Sequence, residues 1–237
     1  MNEPWKGKSG LNPYADFVME TDAVVGRVLE ALEKSRIADN TLVVFTSDNG
    51  KAAYTGAPEL EKKGHYSSGP LRGYKTSVYE GGHREPFIVR WPGVVKPGTV
   101  CGQLVHQADL IATVADVLST KLPDNAGEDS FSVLPLLKGG DKPVREHAVS
   151  CASSGVPGLR RGPWKLILGP DPKAKTGVQL YNLDTDIGET TNLVSEKPEL
   201  VAEMSALMEK LITDGRSTPG AKQKNDVEVR RYPAAER

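Results

Sequence analysis

Thr41-Leu42-Val43-Val44-Phe45-Thr46-Ser47-Asp48-Asn49-Gly50 is the stretch whose reading decides the fold. Leu42 to Phe45 form an unbroken apolar run, β-branched or bulky and too short for a helix, which predicts a strand buried on both faces. Strands of that kind belong to parallel sheets. In open α/β sheets the chemistry gathers beyond the carboxyl ends of the strands, where Asp48 and Asn49 fall. A carboxylate beside a carboxamide, with Gly50 turning the chain, offers hard oxygen donors suited to Ca²⁺ or Mg²⁺ rather than to a thiophilic metal. Asn-Gly is equally a two-residue hairpin signal, and this stretch alone leaves both readings open. The following Lys51-Ala52-Ala53-Tyr54 does not alternate as a returning strand would, which tilts the balance toward a site.

Before this strand, Phe17, Val18, Val24, Val25, Val28, Leu29 and Leu32 recur at helical spacing, which predicts an amphipathic helix from Pro13 to about Ser35 covering one face of the sheet. Asp39-Asn40 then turns the chain tightly into the strand, as in half of a βαβ unit. After it, Lys51 to Pro70 is a long polar excursion carrying Glu59, Glu61, Lys62, Lys63 and His65, of the sort that lines or caps a pocket. Leu71-Arg72-Gly73-Tyr74-Lys75 places two cations close together ahead of the paired Gly81-Gly82, so backbone and lysine can approach an anion; composition alone favours a solvated basic loop. Phe87 to Trp91 predicts a second buried strand, stopped by Pro92-Gly93.

Leu110, Ile111, Val114, Val117 and Leu118 predict a helix between His106 and Leu118, with Asp109 near its N-terminus and His106 in a structural role. Pro, Gly and Asp punctuation from Leu122 to Pro143 marks an irregular crossing. Short strands then follow at His147 to Ser153, Trp164 to Leu168 and Val178 to Leu183, joined by Gly-Pro and Gly-Pro-Asp-Pro turns that are too short for parallel crossovers. A helix starting near Pro198 carries an apolar stripe of Leu200, Val201, Met204, Leu207, Met208 and Leu211 to pack on that small antiparallel sheet. The expected division is a large α/β domain over 1–145, an antiparallel-sheet subdomain with its helix over 146–215, and a disordered tail over 216–237.

With 237 residues, 26% charged, and a net charge of −1, the chain is long enough for a sizeable core and gives no sign of a nucleic-acid surface. No run reaches the length of a membrane span, and Met1-Asn2-Glu3-Pro4-Trp5-Lys6 has no apolar core of the kind expected in a signal peptide. Cys101 and Cys151 have no CxxC spacing; two buried thiols are the default, with one disulfide between them left open.

Thr46-Ser47-Asp48-Asn49-Gly50, Leu71-Arg72-Gly73-Tyr74-Lys75, Tyr79-Glu80-Gly81-Gly82, Leu180-Tyr181-Asn182-Leu183 and Glu189-Thr190-Thr191-Asn192-Leu193, in this order, resemble the sulfatase family, in its arylsulfatase A-like branch. The resemblance implies an α/β fold: a partial alkaline-phosphatase-like parallel-sheet domain followed by the small antiparallel sheet and helix. It implies a sulfuric ester hydrolase in which Asp48 and Asn49 ligate Ca²⁺, with Mg²⁺ less favoured, and Lys75 contacts the sulfate as the catalytic cation. Arg72 and His65 are further candidates for substrate contact. The family's nucleophile is a formylglycine made in a Cys/Ser-x-Pro-x-Arg motif. Cys101 is followed by Gly-Gln-Leu-Val and Cys151 by Ala-Ser-Ser-Gly, so the formylglycine is expected in an N-terminal half outside this chain. The expected partners are a sulfate-ester substrate, a sulfated glycan among the candidates, and that N-terminal half, with the parent enzyme periplasmic or secreted. A phosphate- or phosphonate-ester hydrolase of the same superfold and a non-catalytic sulfated-glycan-binding remnant are the alternatives.

Overall fold

The computed structural model describes residues 2–169 and 177–231; the Pro170-Asp171-Pro172 turn and the last part of the expected tail lie outside them. The first helix, α1, runs Pro13–Lys34. Asn12 caps it, accepting from the Ala15 backbone N–H at 2.9 Å, and Pro13 occupies the first turn, where no amide hydrogen is needed. Asp16, buried in that turn, gathers the preceding loop by accepting from the backbone of Gly7 and of Ser9 at 2.8 Å each and from the Ser9 hydroxyl at 2.6 Å.

The deciding strand, β1, is Val43–Thr46. Its partner β2, Phe87–Arg90, runs antiparallel to it, with Val43 opposite Arg90 and Thr46 opposite Phe87. This corrects the expected parallel pairing: among the described residues the two strands form a ribbon of their own, and β1 is partly rather than fully buried. A continuous apolar run specifies burial, but the direction of the neighbouring strand depends on the path of the chain between the two. The ribbon is also too narrow to bury α1, and Phe17, Val24 and Val28 of its apolar stripe stay about half exposed, at 51%, 47% and 52%. One face of the ribbon does pack: Leu42, Val44, Phe87 and Val89 face Leu110, Val114 and Val133 across an apolar cleft of about 240 Å³. That brings in α4, Asp109–Val117, and the short α5, Leu134–Leu137.

Asp109 ties this layer together. Its fully buried carboxylate accepts from the backbone of His106 at 2.7 Å and of Phe131 at 3.0 Å and lies 3.4 Å from the Arg145 guanidinium. His106 has the structural place expected of it, its Nδ1 accepting from the Ala108 backbone at 3.1 Å.

The second sheet has four antiparallel strands in sequential order: β3 His147–Cys151, β4 Pro157–Arg161, β5 Trp164–Ile167 and β6 Gln179–Asn182. Sequence patterning predicts three; β4 opens on Pro157-Gly158, which reads as a turn until its neighbours on both sides are known. The last helix, α6, Pro198–Asp214, lays the predicted stripe on this sheet, where Met204 and Met208 close a core with Leu159, Leu166, Leu168 and Leu180. Gly215 ends the helix in the left-handed conformation (φ 63°), the conformation glycine adopts at least cost.

The expected disordered tail is corrected over its first residues. Arg216, 9% exposed, bonds Asp124 at 3.1 Å and the Thr218 hydroxyl at 2.9 Å, while the backbone of Ser217 donates to Glu128 O at 3.1 Å. A polar, Gly- and Pro-containing stretch lacks an apolar pattern, so a latch made of one arginine and distant carboxylates leaves no local signal. Cys101 and Cys151 are free and exposed, which corrects the buried thiols. No helix among the described residues is long and apolar enough to cross a membrane.

Candidate active site

The end of β1 and the segment bearing Lys75 are joined main chain to main chain. The Gly50 N–H donates to Gly82 O at 3.0 Å, and the Lys75 N–H donates to Lys51 O at 2.8 Å. The approach is so close that a β-carbon on Gly50 would sit 1.9 Å from Gly81 O. Gly50 and the Gly81-Gly82 pair are therefore required by backbone-to-backbone contact, with no turn conformation involved. Asp48 and Lys75, flanking this seam, are both exposed.

Asp48 accepts no hydrogen bond among the described residues. Asn49 turns its Nδ2 toward Gly50 O, 3.1 Å away, which leaves its Oδ1 available. Gln107 braces the same strand end, donating to the Thr46 hydroxyl at 3.0 Å and to Ser47 O. Glu85, which sequence reasoning passed over, adds a third oxygen-bearing group: its carboxyl is pushed up first by burial and then by the charge of Asp48. Its position in Arg84-Glu85-Pro86, just past the glycine pair, was the available signal. The chemistry of these donors fits part of a hard-cation site. Among the described residues no three His, Cys, Asp or Glu side chains converge to hold a metal ion, and Ca²⁺ takes about six to eight oxygens, so Asp48 and Asn49 could supply only a fraction of such a shell.

The Lys75 backbone is held from both sides. Before it, the Tyr74 hydroxyl donates to Glu61 at 2.6 Å, and Lys51 pairs with the same carboxylate from above the Tyr74 ring. Glu61 belongs to α2, Ala57–Lys62, so the long excursion after β1 is partly helical and serves as a buttress. Its hydrogen bond, together with burial, pushes the Tyr74 phenol up to about 12. After Lys75, Thr76 has φ 78°, a conformation that L-residues with branched side chains seldom adopt. Its carbonyl accepts from Ser153 N at 3.1 Å, just beyond the end of β3.

Arg72 and His65 are placed differently. The Arg72 guanidinium lies 3.7 Å over the Tyr79 ring and donates to Glu189 O at 2.6 Å and to the Tyr181 hydroxyl at 3.2 Å, bolting its segment to the second sheet. His65 is exposed, and its ring makes no hydrogen bond among the described residues. A Ser-x-Pro-x-Arg spacing also occurs within this chain, at Ser68-Gly69-Pro70-Leu71-Arg72. Ser68 O accepts from Leu71 N at 3.2 Å, so the stretch forms a turn leading to the already engaged Arg72.

Below the seam lies a buried charge cluster that sequence reasoning did not bring together. Helix α3, Glu80–His83, presents Glu80 to the Lys165 ammonium at 2.8 Å, and Glu189 meets the same ammonium at 2.8 Å. All three side chains are at most 2% exposed. Burial would raise Glu80, but Lys165, His83 and Arg160 outweigh it and hold the carboxyl low; for Glu189 burial prevails and the carboxyl is raised. His83, whose Nε2 lies 3.1 Å from the Lys165 ammonium and 3.0 Å from Val78 O, to which its ring N–H donates, is pushed down to about 4, first by burial and then by Lys165. Removing one partner of such a buried pair costs about 3–5 kcal/mol.

An α/β layer carrying oxygen donors at a strand end, followed by a four-stranded antiparallel sheet under one helix, is that of a partial alkaline-phosphatase-like domain. Comparison with known proteins makes this specific. The sulfatase family model matches residues 2–120, and the model described as N-sulphoglucosamine sulphohydrolase, C-terminal, matches residues 73–216; the chain belongs to the sulfatase family. It is 37% identical over 221 residues to an N-acetylgalactosamine-6-O-sulfatase of Bacteroides thetaiotaomicron, covering 87% of this chain and 43% of that protein. It is 33% identical over 204 residues to human arylsulfatase A, covering 84% and 38% respectively. A solved structure described under the metabolism of multiple glycosaminoglycans by Bacteroides thetaiotaomicron superimposes with a TM-score of 0.80 at 35% identity, covering 88% of this chain and 46% of that one. The chain thus spans less than half the length of these relatives.

Proposed function

We propose that this chain is part of a sulfuric ester hydrolase and contributes Asp48 and Asn49 to a Ca²⁺ site and Lys75 to the sulfate. The observation that carries the reading is the seam itself: Gly50 to Gly82 and Lys51 to Lys75 set the oxygen donors and the lysine on adjoining strands of main chain in a sulfatase-family protein. Bound there, a divalent cation would withdraw electron density from the ester's sulfuryl group. An exposed ammonium beside it is suited to the negative charge that grows on the sulfate oxygens and the leaving oxygen as the S–O bond breaks. Arg72 and His65 do not share the arrangement that supports Lys75: one is engaged with the second sheet and the other lies free on the excursion.

The substrate class is an organic sulfate ester, and the relatives named for N-acetylgalactosamine 6-sulfate make a sulfated sugar the first to try. The activity belongs with an N-terminal half bearing the formylglycine, in a periplasmic or secreted parent. The half-exposed stripe of Phe17, Val24 and Val28 suits burial against such a half. The test compares residues 1–237 with the complete polypeptide as encoded, using 4-nitrophenyl sulfate, its phosphate counterpart and N-acetylgalactosamine 6-sulfate, with and without Ca²⁺. The expected result is Ca²⁺-dependent sulfate release by the complete polypeptide, none by 1–237, and no change on Ser68→Ala. A preference for the phosphate ester, or binding of the sulfated sugar with no turnover, would replace this reading.

A further inference from the structure

The segment from Arg72 to His83 is held on one side by α2 and the end of β1, through Tyr74, Lys75 and Gly82, and on the other by the second sheet. Arg72 reaches Tyr181 and Glu189 O, the Thr76 carbonyl takes Ser153 N, Val78 packs with Ile167 and Tyr181, and the Glu80 N–H donates to the Glu189 carboxylate at 2.7 Å. Lys165 on β5 lies beneath all of this, with Glu80 of the segment on one side and Glu189 on the other. Glu189 itself has φ 52°, so its loop, like Thr76, is held in an unfavourable backbone conformation by its contacts. Ordinary packing of a sheet needs neither a buried lysine shared by two carboxylates nor two such backbones.

We infer that Lys165 is a positioning residue for the reaction: by gripping Glu80 and Glu189 together it holds the Arg72 to His83 segment on the second sheet and so fixes where the Lys75 ammonium stands. This rests on the reading that Lys75 meets the sulfate, and it makes the second sheet part of the catalytic apparatus. Lys165, fully buried, touches no substrate. Its effect passes through Glu80 to the Gly81-Gly82 pair, whose carbonyl at Gly82 holds Gly50 beside the Lys51 to Lys75 bond, while Thr76, next to Lys75, is held on the same sheet by Ser153. A displacement of about 1 Å in a charged group can cost roughly a hundredfold in rate.

The experiment uses the complete polypeptide with Lys165→Met, Lys165→Arg, Glu189→Gln and Lys75→Ala. It measures kcat and KM on 4-nitrophenyl sulfate and amide hydrogen exchange, the latter being independent of turnover. The expected result is that Glu189→Gln and Lys165→Met lower kcat by about tenfold to a hundredfold with a smaller change in KM. Exchange should quicken more at Gly50, Gly81 and Gly82 than at the β4 and β5 amides, which share only the general loss of stability, and Lys165→Arg should recover part of kcat. If Lys165→Met does not fold, Glu189→Gln, which keeps the shape and loses one charge, decides the matter. Unchanged kcat in Glu189→Gln, or exchange at Gly50, Gly81 and Gly82 that quickens no more than in β4 and β5, overturns the inference while a large loss in Lys75→Ala leaves the sulfatase reading standing. Full activity in Lys75→Ala overturns both.

Discussion

Ser153 donates its backbone N–H to the carbonyl of Thr76 at 3.1 Å, so the residue after the candidate sulfate-binding lysine is held by the end of a strand far along the chain. Thr76 pays for this contact with a positive φ of 78°. Thr76→Gly should relieve that strain and leave stability equal or higher by about 1 kcal/mol, since a non-glycine residue there costs about 1–3 kcal/mol and glycine's extra freedom in the unfolded chain returns part of it. A urea titration checks this; a loss of more than about 1 kcal/mol would mean the threonine side chain contributes something the backbone does not show.

Lys75→Ala should remove roughly a hundredfold to a thousandfold of kcat in the complete polypeptide, the usual effect of deleting one group that stabilises a developing oxyanion. Its side chain is exposed, so the denaturation midpoint should not move. Near-normal turnover in this variant would show that another cation meets the sulfate.

Gly50→Ala should be far more damaging than its size suggests. The added methyl would meet Gly81 O at 1.9 Å, and neither partner is a side chain that can swing away. The seam must open, so stability should fall by at least about 2 kcal/mol, together with the loss of the Gly50 to Gly82 bond. Thermal melting is the measurement, and wild-type behaviour would contradict the geometry.

Asp48→Asn tests the proposed cation site without turnover. The Glu85 carboxyl is raised by burial and by Asp48, so removing that charge should move it part of the way back toward its ordinary value, and Ca²⁺ affinity by calorimetry should fall. A Glu85 titration followed by NMR that does not respond would separate the two carboxylates.

His83 predicts a pH dependence. Its folded value, about 4, lies below its ordinary 6.5, so the folded state takes up this proton less readily than the unfolded one. The stability linked to it is fully present above about pH 6.5 and is lost as pH falls through about 4, roughly 2 kcal/mol of it by pH 5. Lys165, Glu80, Ser150 and the Val78 carbonyl all face this ring, and His106 adds a further positive influence when protonated. His83→Gln should therefore flatten the fall in urea midpoint between pH 7 and pH 5; an unchanged slope would place the acid sensitivity elsewhere.

The amino-acid sequence by itself determined the local elements and the family. The helical spacing of α1 and α6, the apolar run of β1, and the stripe from Leu200 to Leu211 are periodic signals carried by neighbouring residues, and each formed where its period predicts. Ordered motifs at Asp48-Asn49, Lys75 and Gly81-Gly82 were enough to identify the sulfatase family. Tertiary structure alone decided that β1 and β2 run antiparallel, that Pro157-Gly158 opens a strand, that Arg216 latches the start of the tail, and that Arg72 faces the second sheet. It alone brought Lys165 to Glu80 and Glu189. The physical reason is one of range: propensity and periodicity act through adjacent residues, whereas strand direction, buried charge pairing and close backbone approach are fixed by segments that meet only when the chain has folded.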